Sequence, residues 1–464
     1  MNNPDIFIIG AGPGGYVAAI RAAQFGKKVL IVDQDLIGGV CLNRGCIPTK
    51  SLLHYTAIFS EINNVSRAGI KFNKPEIDFK TFNQQIQNIT LHLRKGIEFL
   101  FRTYGIEYLS AKARFVNNND VSLILSDQTE QIITPNIIVI ATGSKQSIIP
   151  GLEPDQKSII TSDEALIINQ MPSNLMIIGA GAIGLEFATI YQRLGSKVTI
   201  IEIMDQILPG TDTETAKQLM NIMKKRGIDI KLKTKVLKIT QDSKIKVLLQ
   251  TENQELVADT DKILVSVGRV PNTDNLGLEN TNIHLTDKKF IKVNDNYETT
   301  QKNIYAIGDV IGQPLLAHKA MAQGVYIAEK IAGEKNEKVS NVIPNCIYTE
   351  PELASVGLSE EQAKSMNYDI IISHFPLSAI GRTHTLGQID GLIKVIADKK
   401  TDQILGFHIL APDASILINE ITLAMNSRLK LTSIINTIHP HPTLSEAIQE
   451  ACAAVYKKAI HIKQ

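Results

Sequence analysis

Ile6-Phe7-Ile8-Ile9-Gly10-Ala11-Gly12-Pro13-Gly14-Gly15 decides how the first part of this chain folds. The four apolar residues predict a buried strand. The glycines predict a turn into a helix over Tyr16 to Phe25, stopped at Gly26. A second apolar run, Val29 to Val32, ends on Asp33. Gly10 allows the tight turn, Gly12 lets backbone approach a pyrophosphate, and Gly15, after Gly14, lets the helix pack closely on the strand. The helix start offers N–H groups and a positive dipole end to phosphates, and Asp33 suits ribose hydroxyls.

The same device returns at Met176-Ile177-Ile178-Gly179-Ala180-Gly181-Ala182-Ile183-Gly184, with Val198 to Ile201 as its second strand and Glu202 as its acid. One such motif is weak, because glycine turns are common. Here the same interval separates Gly10 from Asp33 and Gly179 from Glu202, and two copies with correct flanks are strong. They predict an α/β chain with two Rossmann-like, three-layer dinucleotide-binding units. Glu202 accepts hydrogen bonds from free ribose hydroxyls and repels a 2′-phosphate, so the second unit favours NAD over NADP.

Three more apolar runs end on a small residue and glycine: Ile137 to Ile140 before Ala141-Thr142-Gly143, Ile263 to Val267 before Gly268, and Ile304 to Ile307 before Gly308-Asp309. Each reads as a buried strand opening onto a ligand. Asp309 is a candidate partner for a cofactor's polyol chain.

Cys41-Leu42-Asn43-Arg44-Gly45-Cys46 follows the first unit and runs into Ile47-Pro48-Thr49-Lys50. A dithiol carries two electrons in one bond, as a hydride does, so the pair suits exchange between a thiol substrate and a flavin or nicotinamide. Flanking Gly38-Gly39, Gly45 and Pro48 predict a strained, partly unwound helix start holding the sulfurs within bonding reach. A zinc site needs more ligands, and only the isolated Cys346 and Cys452 remain, so no metal is expected.

The 464 residues allow about three domains, and 44% hydrophobic content can fill ordinary cores. A net charge of +1 argues against nucleic acid or a membrane surface as partner. Four cysteines do not make a secreted disulfide framework and fit a reducing compartment. The start, Met1-Asn2-Asn3-Pro4-Asp5, shows no signal peptide, and no apolar run is long enough to span a bilayer, which reads as cytoplasmic.

A helix is expected over 85–101 and short strands over 107–140. Beyond Val342, strands at Pro344–Gly357, Ile371–Pro376, Gly391–Ala397 and Gln403–Leu410, with helices Ser415–Asn426 and Leu444–Lys458, suggest a separate α+β unit. His439-Pro440-His441-Pro442-Thr443-Leu444-Ser445-Glu446 is the second chemical cluster. A histidine held by a carboxylate suits a general base, and two surface or capping histidines at a helix start are the plain alternative. Thr443 or Ser445 is the candidate first cap of the last helix.

Gly38 to Lys50 resembles the redox segment of class I pyridine nucleotide-disulfide oxidoreductases. The resemblance continues through Gly184-Leu185-Glu186-Phe187-Ala188, Gly268-Arg269-Val270-Pro271-Asn272, Ala306 to Val310, Ala317-His318-Lys319-Ala320, Tyr348-Thr349-Glu350-Pro351-Glu352 and His441 to Glu446. It implies FAD on the first unit (1–149) with a segment at 276–342 completing it, NAD on 150–275, and a dimerisation domain at 343–464. Gly10, Gly12, Gly14, Gly15, Asp33, Lys50, Thr142, Gly143, Asp309 and Ala317 would serve FAD. Gly179, Gly181, Gly184, Glu186, Glu202 and Gly268 would serve NAD, and Lys50 and Glu186 match an ion pair near the flavin's reactive nitrogen. Cys46 matches the sulfur beside the flavin, Cys41 the sulfur that exchanges with substrate, and His441, oriented by Glu446, a base that reaches the dithiol of a second subunit. The implied reaction is oxidation of protein-bound dihydrolipoamide with reduction of NAD, as part of a 2-oxoacid dehydrogenase or glycine cleavage complex. Its partners would be a second copy, lipoyl domains and an acyltransferase core.

Met321-Ala322-Gln323 stand where relatives carry acids, 378–386 is atypical, and Asp33 replaces a commoner Glu. A glutathione reductase type is disfavoured by Glu202. Mercuric and large thioredoxin reductase types are disfavoured by the cysteine-free end Lys458 to Gln464. A non-catalytic redox-sensing nucleotide binder is the alternative from another class, and the intact dithiol argues against it.

Overall fold

The computed structural model describes residues 4–463 apart from 72, 74, 242, 243 and 336. Met1–Asn3 and Gln464, on which the readings of the two chain ends rest in part, lie outside the described residues.

Both glycine units fold as three layers. In the first sheet the strands run in the order Ile304–Ala306, Ile138–Ile140, Ile6–Ile9, Val29–Asp33, Glu107–Phe115, Val121–Leu125, Glu130–Ile133. The first five are parallel and the last three form an antiparallel meander. Strand alternation divides one apolar run between two cores. Ile6, Ile8, Val29 and Ile31 pack on helix Pro13–Gln24 and on Tyr326, while Phe7, Ile9, Leu30 and Val32 pack on the meander residues Phe115, Val121 and Leu123. Helix Ala317–Ala332 lies against helix Pro13–Gln24 closely enough that a Cβ on Gly324 would sit 2.5 Å from the Gly14 carbonyl oxygen.

The second sheet is all parallel, in the order Asp229–Lys231, Lys197–Ile201, Asn174–Ile178, Lys262–Val265, Ile159–Ile160. Ile177 and Ile200 face the helices Ala182–Arg193 and Thr213–Lys225. Met176, Ile178 and Ile201 face a second meander, Lys235–Gln241, Ile245–Gln250 and Glu255–Thr260. The terminal unit is a five-stranded antiparallel sheet, Asn345–Ile347, Glu352–Gly357, Ile404–Ala411, Leu392–Asp398, Ile370–Pro376, with helices Ala414–Asn426 and Glu446–Ala454 on its apolar face.

Local expectations needed correction in four places. Helix Pro13–Gln24 starts three residues before Tyr16, because Pro13 suits a first turn. The helix expected over 85–101 spans Phe79–Thr103, with the Asp78 side chain accepting from Lys80 N. The last helix is shorter than expected, Glu446–Ala454; Ser445 gives it no side-chain cap, and Thr443 Oγ1 donates to Pro440 O instead. The run Pro344–Gly357 is two strands broken at 348–351. The meander over 235–260 had no reading in the sequence.

Candidate active site

Each acid at the end of a glycine unit's second strand clamps its own glycine loop. Asp33 Oδ2 accepts from Ala11 N at 2.7 Å and Oδ1 from Asp35 N at 2.9 Å. Glu202 Oε2 accepts from Ala180 N at 2.7 Å and Oε1 from Met204 N at 2.9 Å. The shorter Asp33 therefore makes the same contacts as Glu202. Burial pushes the Asp33 carboxyl up from its ordinary range, opposed by the Ala11 and Asp35 N–H groups.

Some of the glycines are sterically required. A Cβ on Gly10 would lie 2.4 Å from Ala141 O, and one on Gly15 would lie 1.8 Å from Gly10 O. In the second unit the matching clashes are Gly179 on Ser266 O at 2.5 Å and Gly184 on Gly179 O at 2.1 Å. Around Gly181 there is open space, as backbone approach by a ligand needs. Helices Pro13–Gln24, Ala182–Arg193 and Ala317–Ala332 all begin without a side-chain cap, leaving their first N–H groups for an anion.

Asp33 borders a cavity of about 400 Å³ lined by Gly10, Ala111, Ala113, Thr142 and Asn272 among others. Thr142 Oγ1 is buried with no hydrogen-bond partner among the described residues. An orphan hydroxyl, an open cavity and uncapped helix starts fit an extended dinucleotide such as FAD along this groove. Gly143, at φ +70°, follows Thr142 with open space about it. Asp309 Oδ2 accepts from Ser144 Oγ at 2.6 Å, and Ser144 Oγ accepts from Arg269 Nε at 2.7 Å. Burial lowers the Arg269 pKa, against the charges of Asp309, Asp163 and Cys46. Gly268, at φ +112°, also faces open space.

The redox loop differs from the unwound start expected for it. Cys41 sits on its own short helix, Gly39–Arg44, and Cys46 begins a second, Cys46–Asn64, across Gly45. Both are thiols, and Cys41 donates to Cys46. That bond, ahead of burial, pushes the Cys41 pKa far up. The same bond brings Cys46 down to about 7, aided by Lys50 against the opposing effects of burial and Glu186. The helix start adds to this, since a thiolate is favoured there. Of the pair, Cys46 gives up its proton more readily and Cys41 holds it.

Lys50 lies one turn further along. Its Nζ donates to Glu186 Oε1 at 2.9 Å and Oε2 at 2.8 Å, and it sits 4.4 Å from the centre of the Tyr348 ring. Tyr348 N also donates to Glu186 Oε1, at 3.0 Å. Burial works against the Lys50 ammonium, but Glu186 outweighs it and the pKa is raised.

The two terminal histidines part ways. His439 is buried and its Nε2 faces Glu420 Oε1 at 3.0 Å. His441 is 78% exposed, and its Nδ1 faces Glu446 Oε1 at 2.8 Å. Glu446 Oε2 also accepts from Thr443 N at 2.8 Å, which fixes the carboxylate. His439 is thus neither a surface nor a capping histidine but a side chain enclosed against Glu420, while His441 has the geometry of an oriented base, with Nε2 left to take a proton.

Two contributors had no assigned role in the sequence. Tyr348 was visible only as part of a motif, and Ser144 only as the residue after Gly143. No local signal pointed to either, since the break that exposes Tyr348 is visible only in the fold.

The family described as pyridine nucleotide-disulphide oxidoreductase matches residues 4–324, and its dimerisation domain matches 343–452. The chain is 42% identical to a dihydrolipoyl dehydrogenase of Thermus scotoductus over 100% of this chain and 99% of that one. It is 40% identical to the mitochondrial dihydrolipoyl dehydrogenase 1 of Arabidopsis thaliana over 99% and 91%. The crystal structure of LpdA from Mycobacterium tuberculosis superposes with a TM-score of 0.90 at 25% identity, over 97% and 99% of the two chains. With both family parts matched in order and the relatives aligned end to end, the chain belongs to the pyridine nucleotide-disulphide oxidoreductases.

Proposed function

We propose that the protein is an NAD-dependent dihydrolipoyl dehydrogenase. It oxidises dihydrolipoamide to lipoamide and reduces NAD+ to NADH, with FAD in the first unit and NAD in the second. The observation that carries this is the Cys41–Cys46 dithiol, with Cys46 at a helix start one turn before the Lys50–Glu186 ion pair.

In the oxidised enzyme the two sulfurs are joined. A dihydrolipoamide thiol gives its proton to His441 Nε2, which Glu446 holds in the right tautomer. The resulting thiolate attacks Cys41, the Cys41–Cys46 bond breaks, and Cys46 leaves as a thiolate beside the Lys50 ammonium. The second substrate thiol attacks the mixed disulfide, forms the lipoamide S–S bond and gives its proton to the released Cys41 sulfur. Substrate has lost an electron pair and the enzyme is left as the dithiol. FAD, held by the first glycine unit with Thr142, would supply the two-electron carrier between this dithiol and NAD+. Asp33 and Glu202 hold the two ribose ends through free carboxylate lone pairs, and Thr142 offers its unpartnered hydroxyl to FAD.

His441 is exposed in one chain, so its dithiol partner is that of a second copy in a homodimer, formed through the dimerisation domain. The boundaries 1–149, 150–275, 276–342 and 343–464 are the working division for truncations. The lipoyl arm belongs to another protein, a lipoyl domain carried on the acyltransferase core of a 2-oxoacid dehydrogenase or glycine cleavage complex, in a reducing, cytoplasmic setting. Among the described residues no helix is long and apolar enough to cross a membrane.

The test is NADH formation from free dihydrolipoamide by the FAD-loaded protein and by Cys41→Ser. The variant should lose turnover, and full turnover would refute the assignment. NADP in place of NAD should support little activity.

A further inference from the structure

The segments that meet at Lys50 and Glu186 meet again one level deeper. Arg193 ends the helix that carries Glu186, and its side chain is only 7% exposed. Its Nε donates to Glu350 Oε2 at 2.9 Å, Nη2 donates to the same oxygen, and Nη1 donates to the Leu53 carbonyl at 3.0 Å. Arg226 Nη1 lies 2.8 Å from Glu350 Oε1. Leu53 is nearly one turn beyond Lys50 on helix Cys46–Asn64, Arg193 two turns beyond Glu186, and Glu350 two residues beyond Tyr348. Two stacked layers therefore bolt the redox helix, the second-unit helix and the 348–351 break together. Lys50, Glu186 and Tyr348 form one layer, and Leu53, Arg193 and Glu350 the other.

We propose that Tyr348 and Glu350, which belong to the dimerisation domain, are positioning residues for the redox dithiol. The Tyr348 ring and N–H hold the Lys50–Glu186 pair in place near Cys46, and the Arg193–Glu350 layer holds Tyr348. The inference rests on reading Cys41–Cys46 as the redox pair and extends it: the domain that pairs two subunits also sets the charge that stabilises the leaving thiolate. Lys50 is otherwise a flexible side chain that is one-third exposed. A ring face on one side and a carboxylate on the other leave its ammonium a single seat. The titratable and charged groups around the pair are Cys41, Cys46, Glu186, Arg269, Tyr348, Cys346 and Glu352. None besides Lys50 and Arg269 is a cation.

The test uses FAD-loaded protein reduced with dithiothreitol, freed of reductant and alkylated with iodoacetamide across the neutral pH range. Peptide mass spectrometry assigns the modified cysteine. Tyr348→Leu should move the alkylation midpoint up by roughly half to one pH unit, a three- to tenfold loss of thiolate at neutral pH from one cation–ring contact. Tyr348→Phe keeps the ring and should restore the midpoint. Glu350→Gln should raise it too, and it carries the test should Tyr348→Leu fail to fold. A midpoint unmoved in both FAD-loaded variants overturns the proposal. The assay needs no dihydrolipoamide, so a wild-type protein without turnover would refute the proposed function and leave this profile to decide the positioning role by itself.

Discussion

Replacing Lys394 by Met should cost the protein about 3 kcal/mol at neutral pH. Lys394 and Asp212 have fully buried side chains. Lys394 Nζ lies 2.9 Å from Asp212 Oδ2, 3.0 Å from Glu214 Oε2 and 2.7 Å from Glu360 Oε2. Asp212 caps helix Thr213–Lys225 of the second unit and Lys394 stands on the terminal sheet, so the cluster pins one unit to the other. Removing one partner of a buried pair costs roughly 3–5 kcal/mol. The low end applies here. Asp212 keeps donors from Thr215 N, Thr215 Oγ1 and Glu360 N, while Glu214 and Glu360 reach water. Burial pushes the Asp212 carboxyl up, but His408, Lys394 and the Thr215 N–H outweigh it and hold it at about 2 against an ordinary 3.8. A depressed folded pKa stabilises fully above the unfolded value and loses that contribution as pH falls towards the folded one. The contribution is roughly 2.5 kcal/mol, present above about pH 4 and fading towards pH 2. Lys394→Met keeps the His408 and Thr215 shares and loses only its own, so its deficit should shrink in acid by part of that amount. The assay is the midpoint of the first guanidinium transition with excess FAD, at pH 7 and near pH 3, since several cores need not unfold together. A deficit below about 1 kcal/mol at pH 7, or one unchanged at the lower pH, would refute the reasoning.

Gly15→Ala should abolish FAD retention, because its Cβ would lie 1.8 Å from a backbone oxygen; a variant that stays yellow through gel filtration contradicts this. His441→Gln should slow dihydrolipoamide turnover on the order of 10²- to 10⁴-fold, read as kcat at saturating NAD. Glu202→Ala should raise KM for NAD about tenfold or more without making NADP a good substrate, since the carboxylate also clamps Ala180 N; efficient NADP use would count against it.

Both nucleotide units were legible because their signals are local. A strand, three glycines and an acid all fall within a short stretch, and the clamp from acid to loop depends on that spacing alone. The opposite faces of Ile6–Ile9 were implied by a continuous apolar run, but the covering meanders were not. Strands such as Lys235–Gln241 are mostly exposed and polar, and alternate too weakly to stand out. The division of labour between His439 and His441 was also hidden, because Glu420, which takes His439, comes from another helix.

The broken strand at 348–351 shows why the rest of the site could not be read along the chain. Its apolar character reads as one strand from Pro344 to Gly357, yet the ladder with the next strand stops at Ile347 opposite Leu353. Tyr348 is thereby outside the ladder, and its N–H reaches Glu186. A continuous strand would have tied that donor to its neighbour and turned the ring with it. The break gives up ladder bonds and places a donor, a ring and the Glu350 carboxylate against two helices of other units. Lys50, Glu186 and Tyr348 are remote in sequence, so their meeting is a property of how three units pack, and only the packed chain can place the ammonium near its thiolate.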